Sequence, residues 1–396
     1  MKDSKFYILN KGLYFHSKTY KYGISIRLVV ICCATLLCGC RQKPLQSDIQ
    51  IPEGQYAQGF VLTQHDGYTK AVIFDPWEKG RVMQTYYLVS DLTDSALLPS
   101  ADDGIIVRVP VHRLAATSCT HVGFLQAIGE TRSLCGICSP KLVYTPIPKE
   151  DEGCADLGDA MQVNPERVLL THPDAVMIST YAQGDGVRQY FEKTDIPIIY
   201  NNEWTESSPL ARAEWIRLIG AFYDKQPLAD SIFRSVEQQY NQLRQQVSEQ
   251  VGEKRTLMAG NNFRGTWYMP SGKVYTGQLY RDAGADYYYQ NDSTNGSIPL
   301  TIESVLLKFR NADVWVNSTA RSMKELRQID EKHTWFKAYE TGEVYNFLRR
   351  STDYGANDFW ETAVVHPEQL LQDLVWVLYP DLLPADYEPR YTEKLE

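Results

Sequence analysis

The stretch that decides the fold is residues 227–251, which read PLADSIFRSVEQQYNQLRQQVSEQV. Its apolar side chains recur at steps of three and four, which predicts one helix of about 25 residues, about 37 Å long. Gln, Arg and Glu fill the other faces, as expected for a helix that lies across a surface. An ordinary core-packing helix would carry the same apolar stripe. The stripe consists of Ala229, Ile232, Val236, Tyr240, Leu243, Val247 and Val251.

Strand and helix patterns alternate on both sides of this helix. Such alternation is typical of α/β lobes with mainly parallel sheets. The sequence therefore predicts an α/β protein with two Rossmann-like lobes, joined by a single long helix, and a ligand cleft between them. Before the long helix, strands are predicted at 113–117, 134–137, 175–179 and 197–200, with helices at 121–128 and 165–170. After it, strands are predicted at 256–259, 313–316 and 343–347, with helices near 279–283, 302–309 and 367–378.

Local signals set the limits of these parts. Ser208 and Pro209 form an N-cap and a first helical position, so a helical region begins there. Asp66 and Gly67 are a turn signal between extended runs, which predicts an additional β-hairpin region near the N-terminus. The predicted segments are 1–39 (leader), 40–55 (tether), 56–207 (N-terminal lobe, with the extra region at 56–91), 208–252 (connecting helical spine) and 253–396 (C-terminal lobe).

The leader carries six Lys or Arg residues against one acid, Asp3, before ten apolar residues at 28–37. Ten helical residues span only about 15 Å, so this run indicates a secretory signal rather than a membrane-spanning helix. The next residues, Cys38-Gly39-Cys40, resemble a bacterial lipobox, which implies a signal peptide cleaved before Cys40 and palmitate or a similar acyl chain on that cysteine. Cleavage at an ordinary small-residue site is the alternative. We expect a periplasmic protein, lipid-anchored to a membrane by Cys40.

Composition narrows the function further. The 396 residues include 40 basic and 49 acidic side chains, a net charge of −9, and removal of residues 1–39 would make it −14 (six positive charges and one negative lost). This acidity argues against nucleic acid as a partner, because non-specific binding needs a basic surface. The 26 Tyr and 8 Trp residues, against 13 Phe, favour surfaces that are apolar on one side and wet on the other.

Loops after six predicted strands carry aromatic, amide and arginine side chains. In open parallel sheets ligands bind outside the carboxyl ends of the strands, so these loops predict a cleft. Rings and guanidinium groups suit a large, partly apolar ligand with acceptor or anionic groups. His121 could instead be a helix cap or a structural histidine. The predicted ligand-binding residues are His121, Tyr181, Trp204, Arg264, Trp267, Tyr268, Arg321, Arg350 and Tyr354.

Catalytic signatures are absent from the sequence. It contains no nucleophile elbow, no phosphate-binding Gly-rich loop followed by Lys-Ser/Thr, and no His-Glu-x-x-His motif. We therefore expect a protein that is not an enzyme, with no cofactor and no metal site. Four cysteines beyond the leader leave three alternatives open: disulfides, free buried thiols or a metal site. They are Cys119, Cys135, Cys138 and Cys154.

Several stretches between about residues 105 and 384 together resemble one family. The chain is similar to periplasmic substrate-binding lipoproteins of ABC importers, of the helical-backbone type that captures iron-siderophores, haem or cobalamin. No single stretch is diagnostic, but their order and spacing are shared. The matching stretches are 118–129 with 135–137, 164–168 with 172–178, 209–216, 275–285, 312–315 and 366–374.

The resemblance implies two lobes that close modestly on a chelate and dock onto a membrane permease with its ATPase. Glu166, in Asn-Pro-Glu-Arg-Val, matches the docking acid of the first lobe, and Asp282, beside Arg281, lies about where the second is found. We expect a monomer that delivers an iron chelate, either a siderophore or haem, with cobalamin as the alternative ligand. From other classes, a secreted metal-dependent enzyme using Cys135, Cys138 and a histidine, or a tethered adhesin or sensor, would also be possible.

Overall fold

The structure, a computed structural model, describes residues 49–93, 100, 102–160, 162–180 and 186–396, without the side chains of residues 186 and 187. The predicted leader, the predicted lipidation site Cys40 and the predicted ligand residue Tyr181 lie outside these ranges. The described residues belong to one compact unit. None of the helices within them is both long enough and apolar enough to cross a bilayer.

Strands and helices alternate along most of the described chain. The strands are β1 (Phe60–His65), β2 (Tyr68–Phe74), β3 (Val82–Ser90), β4 (Ile105–Val109), β5 (Leu114–Ala116), β6 (Leu134–Ile137), β7 (Ala155–Asp156), β8 (Gly158–Asp159), β9 (Gln162–Val163), β10 (Ala175–Ile178), β11 (Ile198–Tyr200), β12 (Thr256–Ala259), β13 (Asn262–Phe263), β14 (Thr266–Pro270), β15 (Asp286–Tyr287), β16 (Ser297–Leu300), β17 (Val314–Ser318), β18 (Val344–Asn346) and β19 (Glu393–Lys394). The helices are α1 (Cys119–Ala127), α2 (Pro165–Leu170), α3 (Gly186–Phe191), α4 (Pro209–Phe222), α5 (Gln226–Gln250), α6 (Tyr275–Asp282), α7 (Ile302–Phe309), α8 (Met323–Ile329), α9 (Lys337–Glu340) and α10 (Pro367–Leu378).

Two sheets form the centres of two lobes, and the predicted α/β class is confirmed. The first lobe contains a parallel sheet in the order β11-β10-β5-β6-β7. The second lobe contains the order β15-β12-β17-β18-β19, parallel except for its last strand. Strands such as β5 and β10 are buried throughout, because helices cover both faces of a parallel sheet. That burial explains why their sequences are continuous apolar runs.

The long helix predicted from residue 227 is α5, and α4 precedes it. Ser208 caps α4, since its hydroxyl accepts a hydrogen bond from the Ala211 N–H at 3.1 Å. The two helices approach closely at Gly220, where a Cβ would lie 2.5 Å from the Cβ of Ala229. Most of the predicted apolar stripe of α5 is buried, with Phe233 as an added member, whereas Ile232 and Val251 are half-buried. The domain boundaries given above stay predictions.

The extra region at 56–91 is a sheet rather than a simple hairpin. Its order is β1-β2-β3-β4, and its last strand, which pairs in parallel with β3, was not predicted. The chain before β1 packs on the helical spine, where the Tyr56 and Ala57 N–H groups donate to Glu214 Oε2 at 2.7 and 2.8 Å. Tyr86 in β3 donates to the Ile198 carbonyl of the first lobe at 2.7 Å. The sheet thus joins the spine to the first lobe.

A second difference concerns residues 260–268, which were predicted as a loop after β12. They form β13, a turn and β14, and β16 completes a small antiparallel sheet. Arg264 and Gly265 both have positive φ, 53° and 89°, as a two-residue hairpin turn requires. The strands are short and lack a long alternating pattern, so sequence periodicity did not identify them.

Candidate functional site

Loops from the carboxyl ends of both parallel sheets meet where the two lobes touch. Helix α1 follows β5, residues 138–145 follow β6, and the segment before α10 follows β18. We call this region the lobe contact. Its members from the first lobe are Cys119, Gly123, Tyr144 and Thr145, and from the second lobe Arg350, Trp360 and Glu361.

The carboxylate of Glu361 is the centre of the lobe contact. The backbone N–H of Tyr144 donates to Glu361 Oε1, and that of Thr145 donates to Oε2 at 2.9 Å. Glu361 is fully buried. Burial raises the pKa of this carboxyl above its ordinary value of 4.5, although the two N–H donors oppose that shift. A second-lobe carboxylate is therefore bound by first-lobe backbone.

Backbone packing at the same place is tight. A Cβ on Gly123 would lie 2.0 Å from the carbonyl oxygen of Glu361, so only glycine lets α1 come this close. Cys119, at the start of α1, lies with its sulfur 3.9 Å from the Trp360 carbonyl oxygen. The lobes touch through main chain as well as side chains.

A buried ion pair lies beneath this contact. Arg212 of α4 reaches Glu203 at 3.4 Å, and its guanidinium group lies 4.2 Å from the centre of the Tyr275 ring. Burial raises the pKa of Glu203, and the charge of Arg212 opposes that shift. Glu203 Oε2 and Arg212 Nε have no hydrogen-bond partner among the described residues. The pair thus has unpaired polar atoms, and Arg212 lines the same small cavity as Trp360.

Two small cavities lie between the lobes among the described residues. One cavity of about 40 Å³ is lined by Thr120, Tyr275 and Trp360, among others, and a neighbouring one beside Arg212 holds about 10 Å³. Sites for ligands of drug size or larger enclose about 300–1,000 Å³. A ligand of that size, if bound between these residues, would have to part the loops that meet here.

Six predicted ligand residues lie at or near the surface. Trp204 and Tyr268 are 38% and 53% exposed, and Tyr354 is 82% exposed. Arg264 is at the β13–β14 turn, and Arg321 donates to the Ser351 hydroxyl at 2.8 Å. Arg350 is at the lobe contact itself, 5.2 Å from the centre of the Tyr144 ring, and it pairs with Asp358 at 2.6 Å.

Two other predicted ligand residues are enclosed in this structure, which does not favour a contact with a ligand. His121 is fully buried, with Nε2 3.1 Å from the Ser179 hydroxyl, and burial lowers its pKa to about 3. It is therefore a neutral structural histidine, the alternative named above. Trp267 is also fully buried, and its indole N–H donates to the Ala259 carbonyl at 2.7 Å. Alternation along β14 puts Trp267 on the inner face and Tyr268 on the outer face.

The two acids predicted to dock a permease have different surroundings. Glu166 is exposed in the first turn of α2. Asp282, at the end of α6, accepts a hydrogen bond from Tyr240 of α5 at 2.8 Å, and burial raises its pKa. Because Asp282 already holds α6 against the long helix, its position does not favour a docking role.

All four cysteines beyond the leader are free thiols in this structure. Burial raises the pKa of Cys119 and Cys138 to about 12 and that of Cys154 to about 11, and it also raises the pKa of Cys135. Thiols with such pKa values are weak nucleophiles. Within the described ranges, no three His, Cys, Asp or Glu side chains are grouped so that they could hold a metal ion.

Sequence reasoning missed Tyr144, Glu203, Arg212 and Glu361. The loop after β6 follows a strand that the sequence did predict, so the same strand-end rule would have included Tyr144. Glu361 lies more than ten residues beyond β18, and Arg212 lies inside a helix. No local pattern distinguishes these two from surface charges.

Comparisons with known proteins agree with this architecture. The family model described as periplasmic binding protein matches residues 114–347, more than half of the chain. An uncharacterized lipoprotein of Methanocaldococcus jannaschii is 24% identical over 291 residues, which cover 71% of this chain and 68% of that protein.

Solved structures share the fold. A periplasmic haem-binding protein from Pseudomonas aeruginosa superimposes with a TM-score of 0.55 at 13% identity, covering 72% of this chain and 98% of that one. An ABC transporter substrate-binding protein from Listeria monocytogenes gives 0.52 at 18% identity, covering 68% and 99%. The family match extends from β5 of the first lobe, through the long helix, to β18 of the second. The chain therefore belongs to the periplasmic binding protein family.

Proposed function

We propose that this protein is the solute-binding component of an ABC importer, which captures a chelate between its lobes and delivers it to a membrane permease and its ATPase. The observation that carries the proposal is the meeting of strand-end loops from both parallel sheets around Glu361. Membership of the periplasmic binding protein family supports the same reading. The protein binds its ligand without making or breaking covalent bonds.

The ligand we propose is an iron chelate, either a siderophore or haem, with cobalamin as the alternative. Two exposed rings in the segment after β18, Tyr354 and Trp360, supply faces for stacking. Arg321 and Arg350 supply guanidinium groups for carboxylates or other acceptors. Aromatic rings and guanidinium groups together suit a large ligand that is partly apolar and partly anionic.

We further propose that the protein is held at the outer face of a membrane by acyl chains on Cys40. The lipobox-like sequence supports this, as does the lipoprotein among its relatives. Glu166 is our candidate for the first-lobe contact with the permease, because it is exposed on α2. A tethered adhesin or sensor would share the anchor but would need no permease.

The chain from residue 41 onward can be screened by native mass spectrometry against ferric siderophores, haem and cobalamin. We expect one chelate to be retained at a 1:1 ratio at micromolar concentration, and Tyr354→Ala to weaken its binding by about tenfold, since lost stacking costs about 1 kcal/mol or more. Tyr288→Ala is the matched control, because that ring is 59% exposed but lies against Phe309, at the end of α7. Retention of no chelate would contradict the proposal.

A further inference from the structure

Two consecutive backbone N–H groups, those of Tyr144 and Thr145, converge on one carboxylate in this structure. Adjacent N–H groups that point at the same place form a concave donor site, which favours an anion with two oxygens. Their present partner, Glu361, belongs to the other lobe. The hydrogen bonds can therefore exist only while the lobes are together.

An aromatic ring and a guanidinium group lie beside the N–H pair. The guanidinium group of Arg350 lies over the Tyr144 ring, and it shares Asp358 with Arg390, which reaches the same carboxylate oxygen at 3.3 Å. Two cations thus face one anion, Asp358, beside the site. Delocalised guanidinium charge next to N–H donors favours binding of a further carboxylate.

A ligand must take these N–H groups away from Glu361. Among the described residues, the cavities beside Trp360 and Arg212 hold only about 40 and 10 Å³, so a chelate that bound between these loops would separate them. Separation removes Glu361 from Tyr144 and Thr145. A ligand group without acceptor atoms would leave both N–H groups unpaired at a cost in free energy, whereas a ligand carboxylate would restore both hydrogen bonds.

We propose that the Tyr144 and Thr145 N–H pair is a carboxylate subsite of the ligand cleft, which Glu361 occupies when the lobes are together. The inference rests on the proposed function, and it specifies the ligand as a chelate that carries at least one free carboxylate. Glu361 then competes with the ligand carboxylate for the same two N–H groups. It holds the lobes together until a ligand carboxylate takes its place.

Amide hydrogen exchange at Tyr144 and Thr145 tests the subsite without any chelate. In the chain from residue 41 onward, we expect Glu361→Ala to speed exchange at these two amides by about tenfold or more, as for loss of a hydrogen bond to a charged group. Glu361→Gln keeps the side-chain shape but offers one oxygen, so exchange should be intermediate. Glu388→Ala is the matched control, because that acid is 85% exposed and pairs only weakly with Arg349 on the same lobe. Exchange in the unmutated chain as fast as in Glu361→Ala would overturn the proposal.

Acetate provides the second arm. Added to Glu361→Ala, sodium acetate should slow exchange at both amides toward the unmutated rate, whereas sodium chloride at equal ionic strength should not. Equal effects of the two salts would show that the N–H pair does not select carboxylates, and would overturn the subsite. The chelate screen is independent of this result. Rescue by acetate with no chelate retained would contradict the proposed function, and with it the assignment to a ligand cleft, while showing that the N–H pair binds a carboxylate.

Discussion

At the scale of single residues, the neighbours Trp267 and Tyr268 occupy opposite faces of β14. The Trp267 ring is enclosed by three aromatic rings of the second lobe, those of Trp315, His333 and Phe336, with ring centres 5.5–5.8 Å away. Its N–H donates to the Ala259 carbonyl at the end of β12. Trp267 thus fastens the small antiparallel sheet to the main sheet, while Tyr268 meets solvent.

Because Trp267 is buried and Tyr268 is exposed, replacing each by alanine should lower the free energy of unfolding by different amounts. Trp267→Ala should lower the free energy of unfolding by about 3–5 kcal/mol, because it removes a fully buried indole and leaves a cavity. Tyr268→Ala should change it by no more than about 0.5 kcal/mol, as is usual for exposed positions. Urea unfolding followed by circular dichroism measures both. Equal losses for the two variants would show that the Trp267 ring is not enclosed.

At the scale of elements, helix α1 touches the second lobe through main chain. Gly123 lies in the middle of the helix, where glycine is unfavourable by about 1 kcal/mol relative to alanine. Glycine is needed at this position because any side chain would collide with the Glu361 carbonyl oxygen. The glycine therefore lowers the intrinsic stability of helix α1 but allows the two lobes to come into contact.

Gly123→Ala should keep the lobes apart, because its Cβ would lie 2.0 Å from the Glu361 carbonyl oxygen. We expect a larger radius of gyration by small-angle X-ray scattering, together with faster amide exchange at Thr145. Gly252→Ala is the control, since a Cβ there would meet nothing within 4 Å. The idea fails if Gly123→Ala and the unmutated chain scatter identically.

At the scale of the whole molecule, the contact between the lobes buries Glu361, which separated lobes would leave in water. Burial raises the pKa of Glu361 above 4.5, and Asp358 nearby adds to that shift. The closed form thus holds a proton on Glu361 more tightly than the open form. Between the two pKa values the closed form binds more protons, so closure is favoured as pH falls and disfavoured as pH rises.

We therefore expect the radius of gyration to decrease as pH is lowered from neutrality toward 4.5. Glu361→Gln cannot ionise at this position, so its radius of gyration should depend less on pH. Small-angle scattering of both proteins over this range measures the difference between their slopes. Parallel pH profiles would show that Glu361 does not couple protonation to closure.

The sequence predicted many helices and strands to within a few residues, because each is specified by a pattern of neighbouring residues. Buried parallel strands such as β10 must be apolar throughout, and α5 must repeat its apolar residues once per turn. The small antiparallel sheet was missed, because two- to five-residue strands carry too little periodicity. The buried positions of His121 and Trp267 were missed because a strand-end location does not tell which way a ring points.

By itself, the sequence determined the α/β class, the order of the elements and the long helix, since each depends on periodicity and caps within a short window. Only the tertiary structure decided which side chains meet between the lobes. Tyr144 and Glu361 are 217 residues apart, and no local pattern encodes a hydrogen bond over that distance. The bond arises because two parallel sheets direct their strand-end loops to the same place, and because Gly123 lets the backbones approach.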